Sequence, residues 1–240
     1  MNRAEDVSAL LAAAMEIDPT RPLLTYYDDE TDERTELSGA TLLNWVAKTA
    51  NMIVDDSGLG LGQRAGVGLP PHWQSAAVML GCWSAGLVVD VGPEPADVAF
   101  VEASQATHGW PAVERYALGL HPLALPMRQI PDGYLDFNAE VRVHGDHFYP
   151  QTRVPAGADA LIADGRTWTH ADLIAEAGER ATRLGITGGR VLIDGDAYPH
   201  VLDWLLTPLA GAASIVLCRH LDRAREGARS VSERVTQQLL

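Results

Sequence analysis

Three consecutive pieces decide the fold: Arg64-Ala-Gly-Val-Gly-Leu69, then Pro71-His-Trp-Gln-Ser-Ala-Ala-Val-Met-Leu-Gly-Cys-Trp-Ser-Ala85, then Leu87-Val-Val-Asp-Val91. The first and third are short apolar runs of strand length, and the middle one opens on a proline and has the length of a helix. A strand, a helix and a strand in this order form a unit that pairs in parallel through a right-handed crossover. The region therefore predicts α/β layering.

Toward the N-terminus, Val7, Leu10, Leu11, Ala14 and Met15 recur at helical spacing and stop before Pro19. Residues 23–27 read as a strand, the acidic residues 28–33 as a turn, and residues 35–37 as its hairpin partner. Ser38 is a natural N-cap for a helix with Leu42, Leu43, Val46, Ala50 and Ile53 on its apolar face, closed by Gly58, Gly60 and Gly62. Toward the C-terminus, residues 96–104 are expected to be helical and residues 116–120 a strand. The proline-bearing stretches 121–134 and 150–159 read as surface connectors.

The same order then recurs. Leu37-Ser-Gly-Ala-Thr-Leu-Leu43 is matched by Trp168-Thr-His-Ala-Asp-Leu-Ile174, and Gly62-Gln-Arg64 by Gly188-Gly-Arg190 before a strand at 191–194. A helix opening at Pro71 is matched by one at Pro199, and Gly86 by Gly211 before a strand at 214–217. The expected fold is α/β, with two pseudo-repeated sub-domains of mainly parallel sheets flanked by helices. They are placed at 1–134 and 159–240, joined by a connector at 135–158, with a closing helix from Leu221 to the last residues.

Composition fits such a fold. The 240 residues are 47% hydrophobic and 21% charged, enough to bury a substantial core. A net charge of −14 repels phosphate backbones and anionic headgroups, so neither nucleic acid nor a membrane surface is an expected partner. The excess is uneven: residues 1–120 hold 17 acidic against 6 basic side chains, and residues 121–240 hold 15 against 12. An anionic ligand would favour the second half. Cys82 and Cys218 lie in apolar runs, as thiols do in a reducing cytoplasm. The N-terminal residues carry no secretory pattern, and the apolar stretches 76–89 and 205–218 are too short to span a bilayer.

Three segments, Thr35-Glu-Leu-Ser-Gly-Ala-Thr-Leu-Leu-Asn-Trp45, Gly60-Leu-Gly-Gln-Arg-Ala-Gly-Val-Gly-Leu-Pro70 and Val78-Met-Leu-Gly-Cys-Trp-Ser-Ala-Gly86, together resemble the opening of the adenylate-forming superfamily of acyl-CoA synthetases. Residues 158–222 resemble that superfamily's next sub-domain. The resemblance implies an ATP site built on a Ser/Thr/Gly-rich loop ending in Pro-Lys-Gly, placed between a strand and the helix that here begins near Thr169. In this sequence Ala160-Leu-Ile-Ala163 runs straight into Asp164-Gly165 and Arg166-Thr167-Trp168, the pattern of a two-residue hairpin turn. An aspartate there opposes a triphosphate, the region holds no lysine, and Arg166 is its one cation. The superfamily's third sub-domain and its mobile domain with the catalytic lysine have no counterpart up to Leu240.

The expectation is therefore a degenerate, non-adenylating descendant with no catalytic residue, metal or cofactor, binding a small molecule or a protein. The alternative is a ligase-like protein that processes acyl-CoA or acyl-adenylates, holding ATP, acyl or CoA weakly or completing its site with another chain. The candidate ligand-facing residues are Tyr198 and His200, where a strand meets its helix, with Arg166 beside them and His72 at the matching place in the first repeat. Other patterns have plainer readings. Gly60, Gly62 and Ala65 fit a dinucleotide motif in form, but the order helix–glycines–strand makes them a helix stop. His144 and His147 read as a solvated loop, no G-x-S-x-G elbow occurs, and Lys48, the only lysine, falls on a polar helix face. The closing helix, or a homodimer, is expected to cover the flank left beside the second sub-domain.

Overall fold

The computed structural model describes residues 6–16 and 18–240; the first five residues, read above as free of a secretory pattern, lie outside them. The first half runs α1 (Val7–Met15), β1 (Pro22–Asp28), β2 (Glu33–Ser38), α2 (Gly39–Asp55), β3 (Arg64–Gly68), α3 (Trp73–Ala85), β4 (Val88–Asp90), β5 (Ala96–Glu102) and β6 (Ala112–Leu118). After β7 (Leu135–Asp136) and α4 (Phe137–Glu140) come β8 (Asp159–Ala163), β9 (Arg166–Thr169), α5 (His170–Leu184) and β10 (Arg190–Asp194). A π-wound segment, Leu202–Leu206, leads into α6 (Thr207–Ala210), followed by β11 (Ser214–Arg219), α7 (Arg223–Ser232) and β12 (Gln237–Leu239).

The strands form a seven-stranded sheet, β7-β6-β5-β3-β4-β8-β9, and a five-stranded sheet, β12-β10-β11-β1-β2. All neighbours are parallel except within the hairpins β1–β2 and β8–β9. Each half lends its opening hairpin to the other: β1 pairs with β11, and β8 pairs with β4. A cut at 135–158 therefore separates neither sheet. The connector itself carries Phe137, Asn138 and Val141, all fully buried.

The reason for two sheets lies in α3. Every residue from Trp73 to Trp83 is buried, so this helix is apolar all round and has no face for water. It touches β1 of one sheet and β4 of the other, and Trp83 donates its indole N–H to Ala160 O of β8 at 2.7 Å. Against α2 it approaches so closely that a Cβ on Gly81 would sit 2.6 Å from Thr49 Cβ.

The repeat extends to individual hydrogen bonds. Ser38 and Thr169 each cap their helix by accepting from the third residue in, Thr41 and Asp172. Gly62 donates to Gly86 O as Gly188 does to Gly211 O, and Val88 to Gln63 O as Ser214 does to Gly189 O. His72 Nδ1 accepts from the amide of Gln74 at 3.0 Å, and His200 Nδ1 from that of Leu202 at 3.1 Å. The two helices so capped then differ. Pro208 has no amide hydrogen, and the winding ahead of it widens so that Thr207 donates five residues back, to Leu202 O.

Two sequence expectations are corrected. Residues 96–104 hold strand β5 and the start of a 3₁₀ turn, Ala103–His108, instead of a helix. Val98, Ala99, Phe100 and Val101 are buried between β3 and β6 on both faces, which erases the alternation that marks a strand. The closing helix ends at Ser232; Arg234 turns at φ 54°, and Gln237–Leu239 become an edge strand beside β10. The flank of the five-stranded sheet is covered by α7 together with this return. Arg229 lies 4.1 Å over the Tyr27 ring and pairs with Asp29, and Glu233 accepts from Tyr27 at 2.6 Å and Arg190 at 2.7 Å. Val231 of this helix is exposed.

Gly81→Val should lower the free energy of unfolding by about 2–3 kcal/mol in urea titrations, because neither helix backbone can retreat from the Thr49 contact. His72 supplies a second test. It is buried against the Tyr26 ring, 4.3 Å centroid to centroid, and burial together with the charge of Arg219 pushes its pKa down from 6.5 to about 3. The unfolded chain takes up this proton near 6.5 and the folded chain only near 3, so stability falls as the pH drops through that window. In His72→Asn, whose side-chain oxygen keeps the cap, stability should fall less steeply with pH there. An unchanged slope would remove His72 as its source.

Candidate functional site

Parallel strands end in a row of loops, and where two such rows meet a crevice remains. Here the carboxyl ends of β3, β4, β8 and β11 enclose a cleft of about 330 Å³. Leu69, Met79, Leu161 and Trp204 make its walls apolar, and Glu102, His200 and Arg219 supply polar groups.

His200 is placed by its own cap. Because Nδ1 accepts the Leu202 amide, the proton of the neutral ring sits on Nε2, which lies 3.9 Å from Asp164 Oδ2. Burial lowers its pKa, against the opposing pull of Asp203 and Asp164, so at neutral pH the ring is an uncharged N–H donor. Arg219 ends β11 and carries the cleft's positive charge.

The segment where the phosphate loop was expected is a tight reversal. Ala163 pairs directly with Arg166, and Asp164 and Gly165 between them adopt φ of 51° and 71°, the signature of a type I′ hairpin. The Asp164 side chain is 88% exposed. Arg166 is stacked 3.4 Å over the Trp168 ring, and Thr167 is exposed. A two-residue turn has too few amides to wrap a phosphate chain.

Of the four residues expected to face a ligand, only His200 opens on the cleft, and the turn brings Asp164 to it. Tyr198 packs against the core. His72, expected to be exposed, is buried with its cap turned into the protein, and Trp73 beside it is buried too. The sequence reading missed Arg219 and Glu102. Both stand at the carboxyl ends of strands, a position that itself marks ligand contacts in open α/β sheets, but β5 had been read as a helix. His144 is held by Asp56 at 2.9 Å, and among the described residues no three His, Cys, Asp or Glu side chains are grouped to hold a metal. No helix among them is long and apolar enough to cross a membrane.

No protein-family model matches this sequence. In structure it is similar to the acyl-CoA synthetase of Brucella canis, with a TM-score of 0.76 and 19% identity over 97% of this chain and 46% of that one. It is also similar to the acetoacetyl-CoA synthetase of Streptomyces lividans, with a TM-score of 0.74 and 18% identity over 97% of this chain and 42% of that one. The chain thus spans just under half the length of these enzymes and has the fold of their N-terminal sub-domains. In sequence it is 35% identical over 241 residues to the TIGR03089 family protein of Mycobacterium tuberculosis (strain ATCC 25618 / H37Rv), covering 96% of both chains. With that identity across nearly the whole of both proteins, the chain belongs to the TIGR03089 family.

Proposed function

We propose that this protein holds a small, largely apolar carboxylic acid in the strand-end cleft and does not adenylate it. The observation that carries this reading is the Asp164–Gly165 turn: the chain reverses in two residues at the place where the similar synthetase fold is expected to grip a triphosphate. The nature of the ligand follows from the cleft's remaining chemistry. His200 offers a neutral N–H and Arg219 a cation within walls of Leu69, Met79, Leu161 and Trp204, which suits a carboxylate on an apolar body.

A ligase-like reading, in which ATP or CoA binds the same cleft weakly, draws its support from Arg219 alone. Asp164 beside His200 and Glu102 in the lining stand against it, since two carboxylates disfavour a multiply charged phosphate chain more than they disfavour a single carboxylate.

ATP–pyrophosphate exchange with fatty, aryl and amino acids should stay at the blank, and exchange above it would end the non-adenylating reading. Thermal melts decide the ligand. A carboxylic acid at a hundred times its Kd stabilises by about 2.7 kcal/mol, a rise of about 5–10 °C for a chain of this size. The rise should shrink in His200→Ala and Arg219→Gln. If ATP or CoA shifts the melt and no carboxylic acid does, the ligase-like reading replaces this one.

A further inference from the structure

We infer that a second pocket, between α2 and the loop at residues 146–150, is a binding site for an uncharged aromatic amine or phenol. It holds about 390 Å³, within the range of small-molecule sites, and shares no lining residue with the strand-end cleft. This inference is independent of what the cleft binds.

The pocket is a built one. Its inner wall is the α2 stripe Leu43, Val46 and Ala47, and its outer wall is the loop Phe148-Tyr149-Pro150. That loop is hung from the polar side of α2. Asn51 Nδ2 donates to Gly145 O at 3.0 Å and to His147 O at 2.9 Å, and Lys48 donates to His144 O at 2.5 Å and pairs with Asp146 at 2.8 Å. The chain's single lysine is thus committed to holding this wall. Past the anchors Tyr149 stands 83% exposed, an aromatic ring at the mouth.

Charge and hydrogen bonding select the occupant. Among the described residues the lining carries Asp6 and Asp146 against Arg153, and Lys48 pairs with Asp146, so the charges around the pocket balance within a chain of net charge −14. An ionised ligand would find no net counter-charge there. Ser84 and Ser8 add the polar contact: Ser84 Oγ donates to Leu80 O at 2.8 Å, which leaves Ser8 as the donor in their 3.1 Å pair. Both hydroxyl protons are then used, and what the pair presents to the pocket is oxygen lone pairs. They call for an N–H or O–H on the ligand, and the apolar walls call for rings.

N-phenyl-1-naphthylamine, which is uncharged, aromatic and carries one N–H, is the probe. Its fluorescence should rise saturably with the full-length protein. Leu43→Glu, which sets a carboxylate in the wall at a part-exposed position, should weaken binding by about tenfold or more, and Tyr149→Ala by severalfold, while His200→Ala leaves it unchanged. Tyr149 is surface-exposed, so its variant keeps the test valid should Leu43→Glu fail to fold. The proposal is overturned if the signal does not saturate, if Tyr149→Ala binds as tightly as the native protein, or if His200→Ala abolishes binding.

Discussion

A helix with no wet face has to be walled in on every side, and α3 is such a helix. From Trp73 to Trp83 it shows nothing to solvent, so one sheet cannot suffice, and the chain supplies two. Most of the architecture follows from that requirement. The five-stranded sheet meets α3 through β1 and the seven-stranded sheet through β4 and β8, while α2 closes a third side at the Gly81–Thr49 approach. Burial at this density leaves His72 Nε2 and Gln74 Oε1 without a hydrogen-bond partner, while other polar groups of the helix are paired. Ser75 donates to Pro70 O, Ser84 to Leu80 O, and His72 accepts at the helix start.

Duplication followed by divergence explains where the cleft lies. Both halves carry Pro-His at the entrance to the same helix, and both histidines use Nδ1 for the same capping bond. One is sealed against Tyr26 and Trp73. The other keeps its Nε2 toward an opening, because its helix starts in a widened π turn and because the β8–β9 reversal stops short of covering it. A shared local motif thus produces a structural residue in one copy and a cleft residue in the other, and the difference arises from neighbours distant in sequence.

This is also the measure of what the sequence made legible. Caps, glycine stops, the hairpin at Asp164–Gly165 and the order of matched elements are local, and they could be read from residues a few places apart. Four things could not. The exchange of hairpins between halves depends on Leu24 meeting Ile215 and Val89 meeting Leu161, pairings that leave no trace in periodicity. Strand β5, buried on both faces, offers only a short apolar run, which fits helix and strand equally. The depth of His72 depends on which wall its helix start meets, and Arg219 gains its place in the cleft only when β11 takes its position beside β1.

The crossed hairpins also govern how such a molecule is assembled during synthesis. β1 leaves the ribosome early, yet its parallel neighbour β11 is translated only after β8, α5 and β10 have appeared. Until then β1 and β2 form an isolated ribbon with one raw edge, and α3 has only part of its enclosure. Neither sheet can be completed while the other half is missing, so the nascent chain stays open to proteases and chaperones until β11 has been translated, and closure has to come as one cooperative event after it.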